Sequence, residues 1–194
     1  MPGVPDLVLA SSSPRRRALL DALGLAFEVT SPDVDESLLP NEDPATYVER
    51  VAIDKARAGH EPGDITLAAD TTVVLEGIAI AKPHDTAEAE AMLSRLQGRT
   101  HRVLTGVALA TPSGLYSTVE GTSVTMAEMT PDEIAWYVGT GEPMDKAGAY
   151  ALQGIGGTFV RGVNGDAFNV IGLPLLATRR LFAEAGLDLF SFRA

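Results

Sequence analysis

The sequence predicts an α/β protein built on a mixed sheet, and three observations lead there. Strand and helix patterns alternate in the early part of the chain, a long antiparallel hairpin pattern fills its middle, and successive helix starts carry recognisable cap signals. Each element can be justified in turn.

Leu7–Ala10 is a short apolar run that stops at Ser11-Ser12-Ser13-Pro14, after which Arg15–Leu23 has apolar residues at helical spacing. Ser13 as N-cap and Pro14 at the first helical position mark that boundary, since serine satisfies an orphan N–H and proline lacks one. Phe27–Ser31 reads as a second strand, ended by Pro32. Asp43-Pro44 opens a longer helix to Gly59, burying Val48, Val51, Ala52 and Ala56 and turning Glu49, Asp54 and Arg57 to solvent. Ile65–Ala69 is a strand buried on both faces, and Asp70, where the apolar run breaks, is expected at its carboxyl end. Thr72–Leu75 and Ile78–Ile80 form a hairpin about Glu76-Gly77.

Asp85-Thr86 caps a helix through Leu96 that Gly98 closes. Val103–Ala110 and Leu115–Met126 alternate as two strands about the turn Thr111-Pro112-Ser113-Gly114. Thr130-Pro131-Asp132-Glu133 is a capping box that starts a helix to about Val138. Gly139–Gly157 is rich in glycine and poor in strong apolar residues, and such a loop is expected to hold function. Phe159–Val163 is a strand, Pro174 opens a last helix to about Ala185, and the tail is expected to fray. With no repeat, low-complexity segment or linker, residues 1–194 are expected to form a single domain.

Composition narrows the function. A formal charge of -11 repels polyanions, which disfavours a nucleic acid polymer or an anionic membrane as partner. A small phosphorylated ligand carried with a metal is easier to reconcile. The absence of cysteine excludes disulfides, thiolate metal sites and cysteine nucleophiles, and it fits an intracellular setting. Met1–Ala10 has no basic start and is interrupted by Pro5 and Asp6, and no stretch approaches the ~20 apolar residues of a membrane span. A soluble, unprocessed, cytoplasmic protein is expected.

Ser11-Ser12-Ser13-Pro14-Arg15-Arg16-Arg17 places three guanidinium groups on a helix's first turn, where the macrodipole already disfavours cations. Two readings stand side by side: a phosphate cradle of N–H groups, hydroxyls and arginine forks, or a solvated basic turn balanced by Asp21 and surface acids. Lys55 shares the apolar face of its helix with Val48, Val51 and Ala52, so it either snorkels or reaches inward. Lys82 precedes Pro83, which restricts its backbone. Asp70, followed by Thr71 and Thr72, is either a ligand-facing carboxylate or a turn cap. Asp33, Asp35 and Glu36 form a second acidic group, and hard oxygen donors from two such places suit Mg²⁺ or Mn²⁺ beside phosphates; a solvated acidic loop is the alternative. His60, His84 and His101 lack zinc-like spacing and are assigned to the surface. Neither a Gly-x-Ser-x-Gly elbow nor a dinucleotide glycine fingerprint is present, so acyl transfer and dinucleotide redox chemistry are unsupported.

Taken together, Leu9–Arg16, Tyr47–Ala52 with Lys55-Ala56, Ala69-Asp70-Thr71, Lys82-Pro83 with Asp85, Glu142-Pro143 through Gln153-Gly154, and Ile171–Leu175 resemble the Maf family, in the family's order and over nearly the whole chain. The resemblance implies the Maf/HAM1-like, ITPase-like fold, an elongated mixed sheet flanked by helices with two lobes around a central cleft. It also implies a house-cleaning nucleoside triphosphate pyrophosphatase that depends on a divalent cation, Mg²⁺ or Mn²⁺, and is frequently a homodimer. By that resemblance Asp70 accepts the proton of the attacking water, Glu36 and Asp70 hold the metal, and Lys55 and Lys82 hold phosphates and offset charge. Ser11, Ser13, Arg15 and Arg16 would grip the triphosphate.

Arg15, Thr71 and Gln153, with Asp145–Gly154, are similar to the dTTP/UTP branch rather than to the sibling branch acting on 7-methyl-GTP. A glutamine amide offers both donor and acceptor to a uracil or thymine edge. The sequence departs from the family's usual pattern at Gly165-Asp166-Ala167-Phe168 and at Ala81. The alternatives are a 7-methyl-GTP or broad-specificity pyrophosphatase and, in another class, a nucleotide-responsive regulator of cell division.

Overall fold

The computed structural model describes residues 6–194, so Pro5, one of the interruptions read near the amino terminus, lies outside the described residues. Strand β1 (Leu7–Ala10) is followed by helix α1 (Pro14–Ala22) and strand β2 (Glu28–Thr30), and helix α2 (Pro44–Ala58) leads to strand β3 (Ile65–Leu75). Strand β4 (Ile78–Ile80), helix α3 (Thr86–Leu96) and the hairpin of β5 (Thr100–Thr111) and β6 (Gly114–Met126) come next. Helix α4 (Pro131–Gly139), strand β7 (Val160–Asn164) and helices α5 (Ala167–Ile171) and α6 (Leu175–Glu184) complete the regular structure.

Among the described residues, seven strands form one sheet in the order β2-β1-β3-β5-β6-β7, with β4 paired to β3. β1 runs parallel to both β2 and β3, as two crossovers through α1 and α2 require, whereas β3–β4 and β6–β7 are antiparallel. The sheet is therefore mixed, as the alternation followed by a hairpin predicts.

The chain divides into two compact units, one of residues 6–70, 105–120 and 172–194, the other of 71–104 and 121–171. In the first, Ala52 and Ala56 of α2 meet Ala10, Ala68, Ala108 and Ala110 of the sheet. Side chains this small let the helix approach closely, and at Gly106 a Cβ would collide with the carbonyl of Val48. Glu49, expected in solvent, is half-buried and accepts a hydrogen bond from the Ser117 hydroxyl at 2.7 Å, a consequence of the same close approach. In the second unit, Val73, Leu75, Leu93, Leu96, Val124, Met126, Ile134 and Tyr137 pack into one core.

Three further expectations are corrected. Asp70, expected at a strand's end, lies in the middle of β3: its carboxylate is satisfied by a side-chain partner, and the β-branched run Thr71–Val74 continues the pleat. The tail does not fray, because Leu189 and Phe192 are buried and Ala26 N–H donates to the Phe192 carbonyl at 2.7 Å. His101, assigned to the surface, is 2% exposed; its Nε2 lies 2.7 Å from the Tyr150 hydroxyl, and burial pulls its pKa down to about 4. It sits on β5, where alternate side chains face the core, a position that its polar neighbours in sequence obscure.

Candidate functional site

Close packing of α2 on the sheet carries Lys55 inward. The residue is 8% exposed, and its Nζ lies 2.8 Å from Asp70 Oδ1 and 2.9 Å from Glu36 Oε1. A buried ammonium is costly unless paired, and here two carboxylates compensate it. Snorkelling is thus excluded for Lys55. Of the acidic group 33–36, only Glu36 reaches the lysine; Asp35 instead faces Ser37, whose side chain first and whose N–H, at 2.9 Å, second hold its carboxyl below the usual range, and Asp33 is exposed.

The segment that carries Glu36 has no regular structure, so side chains of α2 hold it. Tyr47 donates its hydroxyl to the Glu36 carbonyl at 2.9 Å. Arg50 donates to the Ser37 carbonyl at 2.9 Å and grips both Glu42 oxygens at 2.6 and 2.9 Å. Burial, reinforced by the charges of Asp70 and Glu36, pushes the Tyr47 hydroxyl up to about 12. The sequence gives Tyr47, Arg50 and Glu42 no role; besides the family resemblance of Tyr47–Ala52, the available signal is the helical spacing of Tyr47, Arg50 and Asp54 beside the face that carries Lys55.

At the α1 turn the three arginines part company. Arg17 is exposed and lies 3.8 Å from Asp21, which matches the solvated reading. Arg16 turns inward, donating from Nε to the Gly172 carbonyl at 2.7 Å and from Nη1 to Ser11 Oγ at 3.1 Å. Burial lowers its pKa, and the charges of Asp70 and Glu36 oppose that shift, so one electrostatic environment joins the turn to the carboxylates. Ser11 Oγ also accepts the Ser13 N–H at 3.2 Å, and Ser13 is the N-cap, accepting the Arg16 N–H at 3.5 Å. Arg15 is partly exposed on the same turn. In the first unit the structure therefore brings together Ser11, Arg16, Glu36, Lys55 and Asp70.

Thr71, Lys82 and Gln153 belong to the second unit. Thr71 is partly buried on β3. Lys82 is exposed between β4 and α3, where the preceding Ala81 carbonyl accepts the Gly148 N–H at 3.1 Å. Gln153 is exposed in the glycine-rich segment, which folds into short 3₁₀ turns at Glu142–Asp145, Ala147–Ala149 and Ile155–Phe159. The departure at Asp166 acts as a local cap: its carboxylate accepts the Phe168 N–H at 2.8 Å at the start of α5.

Among the described residues, no three His, Asp or Glu side chains come together to cage a metal. Asp70 and Glu36 do share one cation, the Lys55 ammonium. Two hard carboxylates on one positive centre fit a divalent ion that completes its shell with water and phosphate oxygens.

A sequence profile of the Maf family, described as Maf-like protein, matches residues 6–185. A dTTP/UTP pyrophosphatase of Anaeromyxobacter sp. (strain Fw109-5) is 54% identical over 185 residues, spanning 93% of this chain and 89% of that protein. The dTTP/UTP pyrophosphatase of Symbiobacterium thermophilum is 49% identical over 188 residues, spanning 96% and 97%. Among solved structures, the Staphylococcus aureus Ham1 protein has a similar fold, with a TM-score of 0.50 at 14% identity over 97% of this chain and 93% of that one.

Proposed function

This chain belongs to the Maf family, and from that premise we propose that it is a cytoplasmic pyrophosphatase converting dTTP and UTP to the monophosphate and pyrophosphate. The observation that carries this reading is the buried Lys55 ammonium between Asp70 and Glu36, with Arg16 under the influence of both carboxylates. Such a set suits phosphoryl chemistry, in which the protein positions water and neutralises oxygen charge.

In the proposed reaction Asp70 takes a proton from the attacking water, the bond from water oxygen to the α-phosphorus forms, and the bond to the bridging oxygen breaks as pyrophosphate leaves. General base assistance of this kind contributes roughly 10²–10⁴-fold. Lys55 and Lys82 offset charge on the phosphate oxygens, and Ser11, Ser13, Arg15 and Arg16 grip the triphosphate at the start of α1. Thr71 contacts the substrate and Gln153 reads the pyrimidine edge. Asp70 and Glu36 would hold Mg²⁺ or Mn²⁺, which when bound supplies positive charge to the phosphates. A homodimer is part of the same proposal, and sedimentation checks it.

Pyrophosphate release from dTTP, UTP, CTP, GTP and 7-methyl-GTP, with Mg²⁺ or Mn²⁺, tests the reading in wild type and Asp70→Asn. Pyrimidine turnover lost in the variant is expected. Turnover of 7-methyl-GTP alone would overturn the base assignment, and no turnover of any substrate would shift the weight to a nucleotide-binding regulator.

A further inference from the structure

The reaction as proposed makes no use of a partly buried tie inside the second unit. Tyr137, on the core face of α4, donates its hydroxyl to Glu142 Oε1 at 2.8 Å and accepts the Ala151 N–H at 3.2 Å. Glu142 takes two more hydrogen bonds, from Gly156 N–H to Oε1 at 2.8 Å and from Ile155 N–H to Oε2 at 2.9 Å. Its backbone carbonyl accepts from Lys146 Nζ at 2.6 Å, which anchors the near end of the segment.

Gln153 lies midway between the two tied points, with Ala151 before it and Ile155-Gly156 after it, and its side chain is exposed. Gly154 completes the arrangement. Its backbone, at φ 91° and ψ -151°, is in a region that side chains disfavour, and a Cβ there would sit 2.5 Å from Glu142 Oε2. The carboxylate thus packs flush against the peptide next to Gln153. Burial pushes the Glu142 carboxyl up, but the N–H groups of Gly156 and Ile155, with the Tyr137 hydroxyl, outweigh it and hold the group below its ordinary value. An ionised carboxylate accepts all three donors with no proton of its own in the way, whereas an amide would turn its NH₂ toward an N–H.

We propose that Glu142, backed by Tyr137, is the positioning residue that fixes how Gln153 presents its amide, and thereby sets selectivity for uracil and thymine over other bases. This rests on the reading that Gln153 recognises the uracil or thymine edge. A donor-acceptor pair discriminates only if its orientation is held to within roughly 10–20°. A site built to hydrogen-bond one base edge rejects another because its polar groups are left unpaired. An exposed glutamine beside a glycine has no orientation of its own; the tie supplies one.

The test measures kcat and KM for UTP, CTP and GTP in wild type, Glu142→Gln, Tyr137→Phe and Gln153→Ala, with hydrogen exchange at the Ile155 and Gly156 amides. In Glu142→Gln and Tyr137→Phe the kcat/KM preference for UTP over CTP is expected to fall about tenfold or more, through a higher KM for UTP, with kcat within about threefold of wild type. Faster exchange at the two amides accompanies it in Glu142→Gln. If Glu142→Gln does not fold, Tyr137→Phe carries the same expectation. A preference that survives in a folded Glu142→Gln with loosened amides, or a uniform loss on all three substrates, overturns the inference. If Gln153→Ala destroys the preference and both tie variants keep it, the inference alone fails; if Gln153→Ala keeps it, the reading beneath it fails as well.

Discussion

The charged atoms of Lys55 and Asp70 lie 2.8 Å apart across fifteen residues of sequence, one on α2 and the other in the middle of β3. Asp70→Asn keeps the shape of that contact and removes the base. Pyrophosphate release is expected to fall roughly 10²–10⁴-fold. Lys55 retains Glu36, so the loss of stability is expected to stay below the ~3–5 kcal/mol of an orphaned buried charge, measured by thermal denaturation. Undiminished turnover would remove Asp70 from its role.

Lys55→Met leaves Glu36 and Asp70 without their shared cation. A unit charge ~4 Å away is worth about 4 kcal/mol at an effective dielectric constant of 20. Titration calorimetry of the substrate-free protein with Mn²⁺ is expected to show binding at least about tenfold tighter than in wild type, even as turnover falls. Equal affinities would show that the lysine and the metal do not share these carboxylates.

Gly106→Ala tests whether close packing of α2 positions Lys55. The new Cβ would meet the Val48 carbonyl, so the helix must shift outward. A cost of about 1–3 kcal/mol is expected, which lowers Tm by roughly 2–4 °C per kcal/mol in a chain of this size. Turnover should fall with it although Gly106 has no chemical role, and a variant with wild-type Tm and turnover would refute the packing argument.

His101 gives the fold a pH dependence. Its pKa is about 4 when folded against 6.5 for the free group, because burial disfavours the imidazolium. Below pH 6.5 the unfolded chain takes up a proton that the folded chain refuses, so stability falls as pH drops from 6.5 toward 4, by at most about 3 kcal/mol. Denaturant midpoints compared across that window should flatten in His101→Gln relative to wild type; parallel curves would exclude the histidine as the source.

Strand, helix and cap positions were legible because they depend on neighbours a few residues apart. The serine-proline start of α1, the Asp43 cap of α2 and the capping box of α4 all stand where local chemistry puts them. The extent of β3 was not legible: a carboxylate in an apolar run looks like a stop until its partner on α2 is known. The residues that hold the Glu36 segment were hidden for a similar reason, since Tyr47 and Arg50 belong to a segment that resembles the family but nothing near them in sequence shows what they hold.

By itself the sequence determined the alternation of elements, the absence of thiol chemistry, the net negative charge and the motifs that resemble the Maf family. Tertiary structure alone decided which cations are buried and what they face. Arg16 and Arg17 are identical in type, yet Arg16 reaches the Gly172 carbonyl, 156 residues away, while Arg17 lies beside Asp21 in solvent. Burial of charge is settled by partners brought together through packing, and sequence spacing cannot report a contact between segments so far apart along the chain.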